Sequence, residues 1–202
     1  MKRPILIIIA LLICVATPIH SVVAGDAMAG KVKAQLCAAC HGAGGNSVNS
    51  QFPSLAGQVP GYIAAQLALF KSGSRANPVM AGMAAPLSQT DMQDLDAYFS
   101  AQPSILGSIS ESDVTAAESG GRLYRGGFKP LGVAPCMGCH GPAGRGIPPK
   151  YPRLAGQHPE YLEQQLRAFK TKTREHSMMN SIAFLLTPTQ MREVSLYVSA
   201  LK

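Results

Sequence analysis

The 202-residue chain contains no tryptophan, and aromatic residues make up only 6% of it. Charged residues are also few, at 14%, whereas hydrophobic residues reach 47%, which excludes an intrinsically disordered protein. A domain of fewer than about 100 residues with so few aromatic side chains can form only a small apolar core. Such a domain usually needs an additional stabilising element, such as a bound prosthetic group. The composition therefore predicts a globular protein that is held together by something besides its own side chains.

Long apolar runs are also missing. The longest one, residues 5–15, is shorter than the roughly 20 residues that a membrane-spanning helix needs. It follows two basic residues and precedes a small-residue site that ends at Ala24, which is the pattern of a secretory signal. We predict that residues 1–24 are an export signal, with an uncleaved N-terminal anchor as the alternative. The mature chain would then be periplasmic.

Cysteine is scarce and unevenly placed. One of the five, Cys14, lies in the apolar segment and is given no role. The other four lie in residues 37–41 (CAACH) and 136–140 (CMGCH). The CxxCH pattern is the attachment signature of a c-type haem: each thiol bonds one vinyl group, and the histidine binds the iron. Two covalent haem c groups are therefore predicted, attached through Cys37, Cys40, Cys136 and Cys139.

Two CxxC pairs could instead form a zinc tetrathiolate site or structural disulfides. A single shared zinc would leave the histidine after each pair unexplained. It would also leave unexplained why each pair lies in its own copy of a longer repeat. We therefore favour two separate haem sites, whose proximal iron ligands are His41 and His140.

The chain is an internal repeat. Residues 37–101 align with residues 136–200 without a gap, and 25 of these 65 positions are identical. Upstream of the cysteines, Gly30 resembles Gly121, which would give the second copy eight extra residues. A repeat of this length indicates two tandem domains rather than a solenoid, whose period is roughly 20–50 residues. The predicted boundaries are an N-terminal domain at 25–105, a linker at 106–114 and a C-terminal domain at 115–202.

Both copies have the same helical pattern. A short helix, predicted over residues 26–38 and 115–126, leads into the cysteines, and a capping signal at Ser88 and at Thr187 begins the last helix. No run alternates as a strand would, so the fold class is all-α. The glycine-rich loop after each CxxCH matches neither a phosphate loop nor a dinucleotide fingerprint, and we expect it to pass close to the porphyrin edge.

The second axial ligand should occur in both copies. Two methionine pairs coincide, but Met92 and Met191 fall inside the final helix and fit its buried face. Met80 and Met179, each 39 residues after its histidine, are therefore the predicted ligands. His176 is a competitor for the second iron, because its counterpart in the first copy is not a histidine but Asn77. His158 is expected at the surface. The remaining methionines are assigned to core packing, namely Met28, Met83, Met92, Met137 and Met191.

Histidine and thioether ligands together raise the reduction potential of a haem relative to two histidines. They also fill both axial positions of the iron, which leaves no open site for oxygen, peroxide or substrate. This ligand set argues for electron transfer and against catalysis at the haem.

Charge is concentrated in the second half of the chain. The formal net charge is +7 overall, whereas residues 25–107 carry four basic and four acidic side chains. Residues 108–202 hold 12 basic and seven acidic side chains. This excess predicts a basic docking face for an acidic partner or an anionic membrane surface, with ordinary solvated surface as the alternative. Aromatic residues are not interleaved with the charges as in a single-strand nucleic-acid site, so no nucleic-acid partner is expected.

Taken together, the export signal, the paired CxxCH and PxLAGQ motifs and the paired methionines make residues 25–202 resemble the dihaem cytochromes c4 of bacteria. The resemblance implies two class I cytochrome c domains related by a pseudo-twofold axis, with one haem in each. It also implies that a proline carbonyl holds each proximal histidine and that the nearby leucine packs on the haem ring. The matching residues are Pro53, Leu55, Pro152 and Leu154.

The family resemblance implies a periplasmic electron carrier, often loosely associated with the membrane. Its donor would be a quinol-oxidising bc1 complex or a dehydrogenase, and its acceptor a terminal oxidase such as the cbb type. Two alternatives stay open at this point. The chain could be a tightly bound cytochrome subunit of a periplasmic dehydrogenase, or an enzyme such as a dihaem peroxidase, which would need an accessible iron.

Overall fold

The computed structural model describes residues 25–201, so the predicted export signal and its cleavage site lie outside the described residues. Helices and short 3-10 turns make up its regular structure, and no β-strand occurs between residues 25 and 201, which confirms the all-α prediction. None of the helices in this range is long and apolar enough to cross a membrane. The helices are α1 Ala27–Lys33, α2 Ala38–His41, α3 Tyr62–Lys71, α4 Pro78–Ala84, α5 Gln89–Ser100, α6 Val114–Gly126, α7 Met137–His140, α8 Pro159–Lys170, α9 Ser177–Leu185 and α10 Pro188–Ser199.

The first helix of each copy packs across the last one at a glycine. A side chain on Gly30 would overlap the carbonyl of Asp94, and one on Gly120 would overlap the carbonyl of Glu193. Because Asp94 and Glu193 are 99 residues apart, Gly120 is the true counterpart of Gly30. The predicted match with Gly121 was wrong by one position, and the second copy has nine extra residues rather than eight.

The extra residues of the second copy form a small hairpin just before its cysteines. Phe128 and Val133 exchange backbone hydrogen bonds of 2.9 and 3.1 Å. Gly127 precedes the hairpin and Gly132 lies in its turn, with positive φ angles of 67° and 71° that glycine adopts without strain. The insertion therefore changes the surface in front of the second CxxCH turn.

Local capping signals place the last helix of each copy correctly. Ser88 and Asp91 form a reciprocal capping box at α5, and Thr187 and Gln190 form one at α10. The first helix of copy one is shorter than predicted: it ends at Lys33, and a turn separates it from the CxxCH helix. Its counterpart α6 ends at Gly126, as predicted.

Each copy has its own apolar core, and the two cores differ by an exchange of large and small side chains. Where the first copy has Ala34 against Phe99, the second has Tyr124 against Val198. All four are buried. The exchange keeps the volume between the first and last helices similar, which close-packed interiors require.

Two glutamines join the copies reciprocally. The side chain of Gln157 accepts a hydrogen bond from the Ser54 backbone N–H and donates one to its carbonyl, both at 2.9 Å. Gln58 makes the same pair of contacts with the backbone of Arg153, at 2.7 and 3.2 Å. Since these partners are 99 residues apart, the contacts are related by a pseudo-twofold axis.

Two arginines complete the domain interface in the same reciprocal way. The Arg75 guanidinium donates to the Tyr161 hydroxyl and to the Gln165 side-chain oxygen, both at 2.9 Å. Arg174 donates to the equivalent groups of the first copy, Tyr62 at 3.1 Å and Gln66 at 2.9 Å. These side-chain contacts of the domain interface therefore come from pairs of identical polar residues.

Candidate functional site

Both CxxCH segments form one helical turn. The backbone N–H of His41 donates to the carbonyl of Cys37 at 2.9 Å, and that of His140 donates to the carbonyl of Cys136 at 3.0 Å. This turn sets the spacing of the two thiols in each pair and directs the histidine inward. The local geometry is what attachment to one porphyrin edge requires.

Each proximal histidine is buried and oriented by a proline. His41 and His140 are each 8% exposed, and their Nδ1 atoms lie 2.8 and 3.0 Å from the carbonyls of Pro53 and Pro152. A carbonyl can only accept, so Nδ1 carries the proton and Nε2 keeps a free lone pair for a metal. Burial lowers the pKa of both histidines, which favours the neutral form that binds iron.

The glycine-rich loop positions the proline segment. The carbonyl of Gly45 accepts hydrogen bonds from the backbone N–H groups of Leu55 and Ala56, at 2.6 and 3.0 Å. Gly45 has a φ of 84°, and a side chain there would press on Phe99. Gly144 makes the same two bonds in the second copy. The loop thus aligns each leucine with the core, as Leu55 and Leu154 both pack against their core clusters.

The four cysteines of the CxxCH segments are free, half-buried thiols. Burial raises the pKa of the Cys37 thiol and raises that of Cys136 to about 11. Such surroundings suit a neutral thioether beside an apolar ring. Between residues 25 and 201, no three His, Cys, Asp or Glu side chains come together as a metal-ion site.

Met80 lies in the first turn of α4 and packs against the first core cluster, which Cys37 and Leu55 also contact. The side chain of Asn77 accepts the Met80 backbone N–H at 3.0 Å and so caps this helix. The cap fixes the turn that carries the methionine. Met80 thus packs on the same core as the CxxCH cysteine, and its role as an axial ligand stays a prediction.

Met179 occupies the same position in α9. Here the cap is His176, whose Nδ1 accepts the Met179 backbone N–H at 3.3 Å. His176 therefore takes the place of Asn77 as a helix cap, a structural role that requires no iron ligation. The neighbouring Met178 is 41% exposed, whereas Met179 is half-buried.

Some of the burial predictions for the other methionines and for His158 need correction. Met92 and Met191 are buried in α5 and α10 as expected, but Met28 is 73% exposed and Met83 is 40% exposed, so these two are not core residues. His158 was expected at the surface. Instead it is half-buried in the domain interface, where its Nε2 lies 3.0 Å from the carbonyl of Ser47 in the other copy.

The polar residues of the domain interface were missed by the sequence prediction. A usable signal was present, because these polar side chains are identical in both copies although nothing in the helical pattern requires them. Repeated polar identity is expected wherever two copies meet around a pseudo-twofold axis. The residues in question are Gln58, Tyr62, Gln66, Arg75, Gln157, Tyr161, Gln165 and Arg174.

The residues present fit a haem c in each copy. Each copy supplies two thiols from one turn, an imidazole with a free Nε2 and a thioether on a capped helix turn. The core clusters contain few aromatic side chains. A bound porphyrin would add the large apolar surface that the composition lacks.

Comparison with known proteins agrees with this chemistry. The family described as Cytochrome c matches residues 27–102 and 129–202. A cytochrome c4 of Pseudomonas aeruginosa is 40% identical over 183 residues, which cover 88% of this chain and 90% of that protein. A protein of Thiomonas intermedia described as "Thiosulfate dehydrogenase electron acceptor" is 37% identical, covering 83% of this chain and 79% of its own length.

The fold also matches a solved structure. The crystal structure of reduced recombinant cytochrome c4 from Pseudomonas stutzeri superposes with a TM-score of 0.84 at 38% sequence identity. The match covers 89% of this chain and 100% of that chain, so it includes both repeats and their relative arrangement.

Proposed function

This chain belongs to the dihaem cytochrome c4 family, and from that membership we propose that it carries electrons in the periplasm to a terminal oxidase. It is an electron-transfer protein with two covalent haem c groups and not an enzyme, so the peroxidase alternative is dropped. The finer proposal is that the donor is a quinol-oxidising complex or a dehydrogenase.

The proposal assigns a role to each site residue. Cys37, Cys40, Cys136 and Cys139 attach the haems, and His41 with Met80 and His140 with Met179 are the axial ligands. The single observation that carries this assignment is the bond from each histidine Nδ1 to a proline carbonyl, which leaves Nε2 as the ligand atom. When bound, each haem supplies a reversible one-electron couple at its iron.

The chain's own residues orient the iron ligands and hold the two domains together. Pro53 and Pro152 hold the imidazoles in one orientation, so the ligand set need not rearrange when the charge on the iron changes. The domain interface holds the two copies in a fixed arrangement. We propose that the N-terminal domain spans 25–105, the linker 106–114 and the C-terminal domain 115–202, and that residues 1–24 direct export.

Exposed cations support docking to an acidic partner through the C-terminal domain. Some basic side chains of this domain are already engaged: Arg192 pairs with Asp113 and Arg167 with Glu163, while Arg174 lies in the domain interface. Six others are exposed and have no ion pair among the described residues: Arg122, Arg125, Lys129, Arg145, Lys150 and Lys172. Peripheral contact with an anionic membrane would use the same charges.

A dehydrogenase complex is the second candidate. The description of the Thiomonas relative as an electron acceptor of thiosulfate dehydrogenase favours it. In that case this chain would be a subunit and would co-purify with a catalytic partner. A free carrier would be recovered alone from the periplasmic fraction.

The test uses the purified holoprotein, reduced and then mixed with membranes that contain a terminal oxidase. We expect rapid oxidation of both haems at a rate that falls as ionic strength rises, because exposed charges are screened. A rate that does not depend on salt would refute the acidic docking partner. Failure of the membranes to oxidise the protein, together with recovery in a larger complex, would favour the subunit role. Carbon monoxide binding to the native protein would contradict the assignment of both methionines.

A further inference from the structure

A buried carboxylate distinguishes the first copy from the second. Asp96 on α5 is only 7% exposed. Its counterpart on α10, 99 residues later, is the neutral Ser195, which is 1% exposed. The two positions are equivalent, but only one of them places an acidic group inside the protein.

Asp96 is held by three backbone N–H groups at the start of α3. Its Oδ2 accepts from Gly61 at 2.7 Å, and its Oδ1 accepts from Ile63 at 2.8 Å and from Ala64 at 3.3 Å. Both oxygens accept and neither faces an acceptor, which is the arrangement of an ionised carboxylate. Backbone dipoles stabilise this anion without cancelling its charge.

No cation pairs with Asp96 among residues 25–201. Lys33 pairs with two other carboxylates of α5, because its ammonium lies 2.8 Å from Asp91 and 2.5 Å from Asp94. Lys33 offsets one of these two carboxylates, so this cluster keeps a net charge of −1. Asp96 therefore contributes an uncompensated negative charge to the interior of the N-terminal domain.

The different starts of α3 and α8 explain why only one copy needs this carboxylate. Helix α3 begins at Tyr62, after Gly61 with a φ of 90°, and its first N–H groups turn toward Asp96. Helix α8 begins at Pro159, which has no N–H, and the His158 carbonyl accepts the Leu162 N–H at 3.1 Å. The Ser195 hydroxyl is left buried without a partner.

The carboxylate adjoins the core that surrounds the first haem site. Ile63, whose N–H donates to Asp96, is a member of the first core cluster. The same cluster is contacted by Cys37, Leu55 and Met80. Asp96 is thus linked through Ile63 to the apolar cluster against which Cys37, Leu55 and Met80 pack.

We propose that Asp96 tunes the haem of the N-terminal domain by favouring its oxidised state. Oxidation adds one positive charge to the iron, and a nearby buried anion stabilises that charge through a medium that salt does not screen well. The C-terminal domain has a neutral serine in the equivalent place, so this charge acts on one haem only. This inference rests on the proposed carrier function, which requires a haem c in each domain.

The test is a redox titration of the Asp96→Asn holoprotein at low and high ionic strength. The haem signals are assigned by nuclear magnetic resonance through contacts with Ile63 or Leu162, one from each core. At a fixed ambient potential we expect the ratio of reduced to oxidised N-terminal haem to rise several-fold, at both ionic strengths. The C-terminal haem should not respond. No change, or an equal change at both haems, would overturn the proposal.

Asp91→Asn is the matched control, because it removes one carboxylate from the same helix. The Asp91 side chain is 28% exposed and paired with Lys33, so its smaller effect should disappear in high salt. Asp96→Ser, which copies the second domain, serves as a second variant if the asparagine variant folds poorly. These titrations use no partner protein, so they can fail independently of the oxidase experiment that tests the proposed function.

Discussion

At the scale of single residues, each iron site depends on a helix cap one turn away from its methionine. Asn77 and His176 differ in chemistry but accept the same backbone N–H, that of Met80 or Met179. Because the cap rather than the sequence around it fixes the turn, the two methionine loops tolerate different residues. The departure of the second loop from the first therefore does not imply a different ligand.

Replacing Met179 by alanine should open the second iron site. We expect half of the methionine–iron absorption of the oxidised protein to be lost, a lower potential at one haem and carbon monoxide binding at that haem alone. Visible spectroscopy of the two oxidation states measures all three. The matched control is Met178→Ala, which removes the adjacent, 41% exposed methionine and should change none of them. The opposite pattern would assign the ligand to Met178.

At the scale of helices, the crossing of the first and last helix in each copy requires a glycine. The Gly120→Ala substitution would push α6 away from the carbonyl of Glu193 on α10. Overpacking of this kind costs roughly 1–3 kcal/mol of unfolding free energy, and a loss of this size should appear in chemical denaturation of the holoprotein. Gly126→Ala is the control on the same helix, since no atom lies within 4 Å of the added Cβ. It should change stability by less than about 1 kcal/mol. Equal losses would mean that the crossing is not tightly packed.

The sequence predicted those features that are decided within a few residues. The CxxCH turns, both capping boxes and the all-α class depend on local spacing, and all are present in the structure. The end of α1 was predicted too late, because the turn before Cys37 leaves no signal in the apolar pattern. The role of Asp96 could not be predicted, since it caps a helix whose first residue lies more than 30 positions earlier. Such a contact depends on how α3 and α5 pack.

At the scale of the whole molecule, the domain interface reaches the ligand of each iron. Gln157 holds both backbone groups of Ser54, the residue directly after the Pro53 that orients His41. Gln58 stands in the same relation to Arg153 and Pro152 in the other domain. Each domain thus supports the proximal histidine of its partner domain, a coupling that neither repeat shows by itself.

Gln157→Ala should consequently perturb the haem of the opposite domain. Losing two hydrogen bonds to a partly buried backbone should cost about 1–3 kcal/mol of stability. It should also shift the magnetic resonance signals of His41 and the N-terminal haem more than those of the C-terminal haem. Gln51→Ala, at an exposed position of the N-terminal domain, is the control and should shift neither set. A larger shift at the C-terminal haem would contradict the coupling across the interface.

The reciprocal pattern of the domain interface also bears on how such a chain could arise. Each copy presents the same surface to the other, as the two subunits of a symmetric homodimer do. A one-haem ancestor with this surface could pair with a second copy of itself before any gene duplication. Fusion through a linker then makes the association intramolecular, so it no longer depends on protein concentration. The two haem domains therefore stay together even where the protein is very dilute.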